Sequence, residues 1–189
     1  MESNPLLDPI TEIDGIIELR QLTLSEAEAC FKLIIKNNQY LREWLPWLDL
    51  IKTVDDEKKF IQGSYDKASE QKSADFGIYN EGTLVGIISF HYIDKENKKT
   101  SIGYWLDKDS QGNGVMTKAT KMLVMFAFES LKLNRIQIEC AIGNNKSSSI
   151  PKRLGFKLEG VTRQAEWLYD HFVDWETYSL LSSDGNKSD

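Results

Sequence analysis

Residues Tyr104 to Leu131 read YWLDKDSQGNGVMTKATKMLVMFAFESL. Strand, glycine-bearing turn and long helix follow one another here. Ser101 to Leu106 carries the strand pattern and Asp107 to Asn113 the turn, and a helix is predicted from about Gly114 to Leu131. Gly112 and Gly114 stand where the chain enters that helix. The first backbone N–H groups of a helix have no partner inside it, and the helix dipole adds partial positive charge there. Glycines lack Cβ and let an anion approach those groups closely. The pattern suits a phosphate or pyrophosphate. It equally suits a tight turn feeding an ordinary core helix. Two familiar phosphate motifs are absent. Thr117 stands where GxGxxG needs its last glycine, and no lysine follows a suitably spaced glycine as GxxxxGK[ST] requires.

Upstream, Ser73 to Tyr92 reads as a hairpin. Asp75 to Tyr79 and Leu84 to Tyr92 are its strands, and Asn80-Glu81-Gly82-Thr83 is the turn. The charged stretch Asp94 to Lys99 leads into a third antiparallel strand, Thr100 to Leu106. Before the hairpin lie two predicted helices. Ser25 to Asn37 places Ala27, Phe31, Ile34 and Ile35 at helical spacing, with Thr23 or Ser25 as cap. Thr53 to Lys72 turns Val54, Phe60, Ile61 and Tyr65 inward, with Asp55, Asp56 and Glu57 at its start. Between them, YLREWLPWLDL (Tyr40 to Leu50) is rich in aromatics, and Pro46 breaks any helix before it. Trp44 and Trp47 read either as packing residues or as walls of a substrate cleft. Ile16 to Leu22 is a strand, and residues 1–15 are an extended arm.

Downstream, Asn134 to Ile142 alternates as a strand. Reached through a helical crossover, it should lie parallel to Thr100–Leu106. Gly143 to Leu154 is a loop and short helix. Gly155 to Arg163 with Glu166 to Leu168 make a strand or broken strand, and Val173 to Leu180 is the last strand. Residues 182–189 are a polar, disordered tail. The order implies one α+β domain over residues 16–181. Its sheet is mixed and mostly antiparallel, with about seven strands flanked by helices.

The 189 residues carry a net charge of −6 and a pI near 5.1. That argues against direct nucleic-acid binding, which needs a basic footprint. The two cysteines, Cys30 and Cys140, lack CxxC spacing and read as buried thiols. The two histidines, His91 and His171, are too few and too separated for a metal cluster. No basic segment followed by an apolar run opens the chain, and no apolar run is long enough to span a membrane. A cytoplasmic protein is expected. The aromatic residues near Trp44–Trp47 would serve a homodimer as readily as a substrate.

Three places in order carry a resemblance. The turn reads Gln111-Gly112-Asn113-Gly114-Val115-Met116. Asn144-Asn145-Lys146-Ser147 is followed by Arg153-Leu154-Gly155-Phe156. Gly160 to Asp174 reads GVTRQAEWLYDHFVD. Together they resemble the GNAT superfamily of N-acetyltransferases, and within it the Rim-type ribosomal-protein N-terminal acetyltransferases. The likeness covers roughly Ile16 to Leu181. Met116 departs from the small residue usual at its position, which leaves the backbone N–H unaffected.

The resemblance implies acetyl-CoA as cosubstrate, held where two parallel strands splay apart, Thr100–Leu106 and Arg135–Ile142. The backbone N–H near Leu106 would hold the acetyl carbonyl. Gln111, Gly112, Asn113, Gly114, Val115, Met116 and Thr117 would hold the pyrophosphate, and Asn144 the pantetheine arm, unless Asn144 only caps the short helix. Ser147 would protonate the departing sulfur, or serve as the helix N-cap, or both. Pro151 occupies the position where many relatives place a tyrosine acid. Glu166 would deprotonate the acceptor amine through water or bind it as a cation, with Tyr169 and His171 as alternates. An α-amine, with a pKa of about 8, needs only a modest base. The expected acceptor is the N-terminal α-amine of a protein. A small amine (polyamine, amino sugar or antibiotic) is the alternative, and a non-catalytic acyl-CoA-binding module is a third.

Overall fold

Glu81 and Gly82 both adopt positive φ, 50° and 76°. This is the left-handed pair that a two-residue hairpin turn demands. It joins β3 (Ala74–Asn80) to β4 (Thr83–Asp94). The structure, a computed structural model, describes residues 4–12 and 15–184. Around the hairpin lie β1 (Ile10–Thr11), β2 (Ile17–Arg20), β5 (Lys99–Leu106), β6 (Arg135–Ala141), β7 (Lys157–Leu168) and β8 (His171–Leu181). They form one eight-stranded sheet in the order β1-β2-β3-β4-β5-β6-β8-β7. Every neighbouring pair is antiparallel except β5–β6. The helices are α1 (Ala27–Leu41), α2 (Val54–Ser69), α3 (Val115–Glu129) and α4 (Asn145–Arg153). No described helix is long and apolar enough to cross a membrane.

The pleat sends alternate residues to opposite faces. One face of the sheet presents Phe76, Ile88, Phe90, Ile102, Ile136 and Ile138 to α3 and its Leu123. The other presents Ile87 and Trp105 to Ile34 of α1 and Ile61 of α2. Burying each such side chain contributes about 1.5–3 kcal/mol. Both cysteines are buried and free, as expected.

Several sequence expectations need correction. The α2 helix turns Glu57, Ile61, Ser64 and Ala68 inward. Phe60 and Tyr65 are exposed. Ile61 is buried and Val54 packs on the core as expected, and the rest of the inward stripe runs through small Ser64 and Ala68 rather than Phe60 and Tyr65. Ile35 of α1 is likewise exposed. That helix runs on to Leu41, and so takes in the start of the aromatic stretch. The N-terminal segment is more than an extended arm. Leu6 is fully buried, and β1 adds a strand to the sheet. Of the expected tail, residues 185–189 lie outside the described residues, whereas Ser182 still bonds Asn134.

Candidate active site

Only three residue pairs join β5 to β6: Lys99↔Arg135, Thr100↔Ile136 and Ser101↔Gln137. Beyond them the strands part. Asp107 N–H donates to Val85 O, so the opposed pair Gly86↔Leu106 is a non-hydrogen-bonded one. The N–H and C=O of Leu106 therefore turn away from β4, into the gap. By the same alternation those of Tyr104 do too.

The gap opens into a cleft of about 1780 Å³. At one end is the start of α3. Gly112 and Gly114 have φ of 85° and 78°, and a Cβ on either would meet nothing within 4 Å. Gly114 is the N-cap and supplies no side-chain cap. The side chains of Val115 and Met116 are buried in the core, so their backbone is what the turn presents.

The turn is fixed from two sides. From α1, Asn37 donates to Asp107 (2.8 Å) and accepts from the Lys108 N–H (3.0 Å). Lys36 pairs with Asp107, and the Tyr40 hydroxyl donates to Leu106 O. Burial opposes ionisation of Asp107, yet the bonds from Asn37 and Lys36 hold its carboxyl below the usual carboxylate range. Gln111 donates to Tyr40 (3.1 Å) and accepts from Lys146 of α4 (2.9 Å). Arg153, also on α4, donates to Thr117 (2.6 Å). The basic side chains Lys146 and Arg153 thus stand beside the uncapped helix start. Asn113 is exposed at the turn.

Across the gap, Asn144 is the N-cap of α4, and its Oδ1 accepts from the Ser147 N–H (3.1 Å). Ser147 is therefore not the cap, contrary to one expectation. It sits in the first turn with its Oγ 3.2 Å from Cys140 Sγ. The Tyr104 hydroxyl donates to Ser147 O (3.0 Å). Burial pushes the Tyr104 hydroxyl and the Cys140 thiol upward in pKa, so both stay protonated.

Glu166 reaches the cleft by a bulge. The β7–β8 register jumps between Thr162↔Trp175 and Glu166↔Val173, and Gln164 has a φ of 50°. Such bulges re-aim side chains. Glu166 is half-buried beside Trp175. Burial raises its pKa, against a hydrogen bond from Trp175 that lowers it. The alternates sit elsewhere. Tyr169 donates to Leu45 O (2.6 Å) and lies under Arg42, and His171 bonds Asp170 on the surface. Neither lines the cleft. Trp44 and Trp47 do, with Pro46, Leu50 and Phe60. Trp47 also packs on the core, so packing and cleft wall are one role.

The structure thus gathers Leu106, Gln111, Gly112, Gly114, Val115, Met116, Thr117, Asn144, Ser147 and Glu166 around one cleft. Sequence reasoning missed Tyr104, Cys140 and His91, which line it too. Tyr104 and Cys140 alternate like ordinary strand residues, and only the parallel register of β5 on β6, continued past Ser101↔Gln137, sets them side by side.

A parallel pair that splays beside a glycine turn and an uncapped helix offers free backbone amides next to an anion site. Residues 17–157 match the Acetyltransferase (GNAT) domain family. The ribosomal-protein-serine acetyltransferase of Escherichia coli (strain K12) is 34% identical over 170 residues, 90% of this chain and 95% of that one. Among solved structures, a RimL ribosomal L7/L12 alpha-N-protein acetyltransferase in complex with coenzyme A matches with a TM-score of 0.88 at 28% identity. It covers 92% of this chain and 98% of that one. The microcin C7 self immunity acetyltransferase MccE, in complex with acetyl-CoA and AMP, matches at 0.88 and 31%, over 93% and 98%. The chain belongs to the GNAT family. It is an N-acetyltransferase that uses acetyl-CoA.

Proposed function

We propose that this enzyme transfers acetyl from acetyl-CoA to the N-terminal α-amine of a protein, a ribosomal protein in particular. The observation that carries the reading is the open, aromatic-walled cleft that meets the β5–β6 gap. A peptide terminus can lie along Trp44, Trp47 and Phe60, whereas a small cation would want a closed pocket. The likeness to the E. coli ribosomal-protein-serine acetyltransferase and to RimL supports it. A cytoplasmic setting, where ribosomes and acetyl-CoA meet, goes with it.

Roles follow from position. The N–H groups of Gly112 to Thr117, with the helix dipole, take the pyrophosphate. Gap-facing backbone at Tyr104 and Leu106 takes the amides and the acetyl carbonyl, and its N–H stabilises charge developing on that oxygen. The side-chain amide of Asn144 is free to meet the pantetheine arm while its Oδ1 caps α4. Glu166 receives the amine, and Ser147 passes a proton to the leaving sulfur.

The test is thiol release from acetyl-CoA with peptides starting Ser, Ala or Met, with spermidine and with an aminoglycoside. Fast release with a Ser- or Ala-starting peptide is expected. Release with the small amines alone would move the assignment to them. The likeness to MccE, an immunity acetyltransferase, keeps that second reading in the panel. Binding of acetyl-CoA with no release for any amine would favour a binding module.

A further inference from the structure

His91 is the extra residue of a bulge in β4. The β4–β5 register passes from Phe90↔Ile102 to Tyr92↔Ser101, leaving His91 unopposed. Its ring lies over Gly103 of β5, and a Cβ built there would overlap the Nε2 edge of the imidazole. Gly103 stands two residues beyond Ser101, the last residue of β5 paired to β6. The ring therefore sits at the throat of the gap, where the strands begin to part. It is open to water in the cleft but crowded by the walls.

The two faces of the gap are chemically different. Tyr104, Cys140 and Ser147 stand together on the α3–α4 side. Gly103 alternates with Tyr104, so His91 lies on the opposite, α1–α2 side. That is the side from which the acceptor cleft opens, with Trp105 and Ile87 in its wall. A thioester in the gap would have Ser147 toward its sulfur and His91 toward the incoming amine.

We propose that His91 is the group that takes the proton from the acceptor ammonium, with Glu166 binding that ammonium by charge. This rests on the α-amine reading above and deepens it. An ammonium loses two protons on becoming an amide. The first goes to the His91 imidazole and on to solvent. As the new N–C bond forms and the C–S bond breaks, the electron pair leaves on sulfur. The second proton ends on the thiol of coenzyme A by way of Ser147.

The surroundings keep His91 in the form the task needs. Burial pushes its pKa below the usual imidazole value, and Asp75 on β3 opposes this. The Asp75 carboxylate is itself engaged by Ser89 (2.6 Å). Besides Glu166, and Glu43 just after α1, the other acidic groups in the same cleft are Glu139 on β6 and Glu57 on α2. Burial raises the pKa of both, against Arg135 for Glu139 and Cys30 for Glu57. His91 is therefore neutral at pH 7, and its service as a base is lost as pH falls through its pKa.

The test measures kcat/KM for a Ser-starting peptide on the full chain, from about pH 6 to about pH 9, across the α-amine pKa of about 8. Wild type, His91→Asn and Gly103→Ala are compared, with acetyl-CoA affinity by calorimetry. His91→Asn should lower kcat/KM about 10²-fold near pH 7. The loss should shrink toward high pH, where the amine sheds its proton unaided, and acetyl-CoA affinity should hold. Gly103→Ala should reproduce the loss by displacing the imidazole. No loss in His91→Asn, or an equal loss at every pH, overturns the proposal. A wild type that acetylates only spermidine overturns the α-amine reading instead, and the same three proteins are then compared on spermidine. No turnover with any amine overturns both.

Discussion

Glu166 is set apart from the other carboxylates of β7 and β8 by where its backbone bends. Arg163 to Ala165 drop out of the ladder, and the shift in register turns Glu166, paired again with Val173, into the cleft. Glu159, on the same strand, is instead paired with Arg135 and bonded by Ser179, and its carboxyl is held down at about 2. Glu166 lacks a cationic partner of that kind among the described residues, and burial pushes its pKa up. A carboxylate so placed gains by accepting a cation, and an α-ammonium would supply one. Glu166→Gln keeps the shape and removes the charge. It should lower kcat/KM for the amine by about 10²-fold while leaving acetyl-CoA affinity nearly unchanged, magnitudes typical of a lost proton-transfer or charge contact. Steady-state kinetics beside calorimetry separates the two. Unchanged kinetics would remove Glu166 from the reaction.

Elements rather than single residues hold the glycine turn. The α1 helix contributes Lys36, Asn37 and Tyr40 from one face, one turn apart. Asn37 is the most buried of them, and satisfies both the Asp107 carboxylate and the Lys108 N–H. Asn37→Ala leaves the Lys108 N–H without its acceptor, at about 1–3 kcal/mol for an unsatisfied group, and leaves Asp107 held by Lys36 alone from α1. Thermal denaturation should show a lower Tm, and acetyl-CoA should bind more weakly because the turn is no longer anchored. A drop in Tm with unchanged affinity would mean α3 holds the turn alone. Much at this scale was legible beforehand. The Asn80–Thr83 turn, the crossover to a parallel strand and the helix at Val115 follow from glycine placement and period. The inward face of α2 was legible only in Val54 and Ile61, because Phe60 and Tyr65 are apolar enough to claim the rest and only packing against the sheet favours Ser64 and Ala68. Nor was His91, whose direction depends on a bulge and on the missing side chain of Gly103, two strands' worth of information that no local pattern contains. The glycine turn was readable as an anion site from its own residues, whereas Asn144, Ser147 and Glu166 were readable only through a resemblance. Their meeting around one cleft comes from topology.

At the scale of the whole molecule, the sheet is two parts, β1–β5 and β6–β8, joined at one end by three residue pairs and parted at the other. A ligand that fills the gap bonds to both parts and so stabilises the fold. At a hundredfold excess over Kd this is about 2.7 kcal/mol, or a rise in Tm of roughly 5–10 °C for a chain of this size. Acetyl-CoA should produce that shift. Gly112→Asp should abolish most of it, because it puts bulk and negative charge where the pyrophosphate approaches, at a φ of 85° that favours glycine. An equal shift in the variant would mean the pyrophosphate sits elsewhere.

The account's central claim concerns which nitrogen receives the acetyl group. The most direct measurement is tandem mass spectrometry of a Ser-starting peptide that also contains lysine, after incubation with the enzyme and acetyl-CoA. Acetyl on the N-terminal serine nitrogen, with the lysine unmodified, is the expected result. Acetyl on the lysine side chain alone, or an unmodified peptide beside acetylated spermidine, would contradict it.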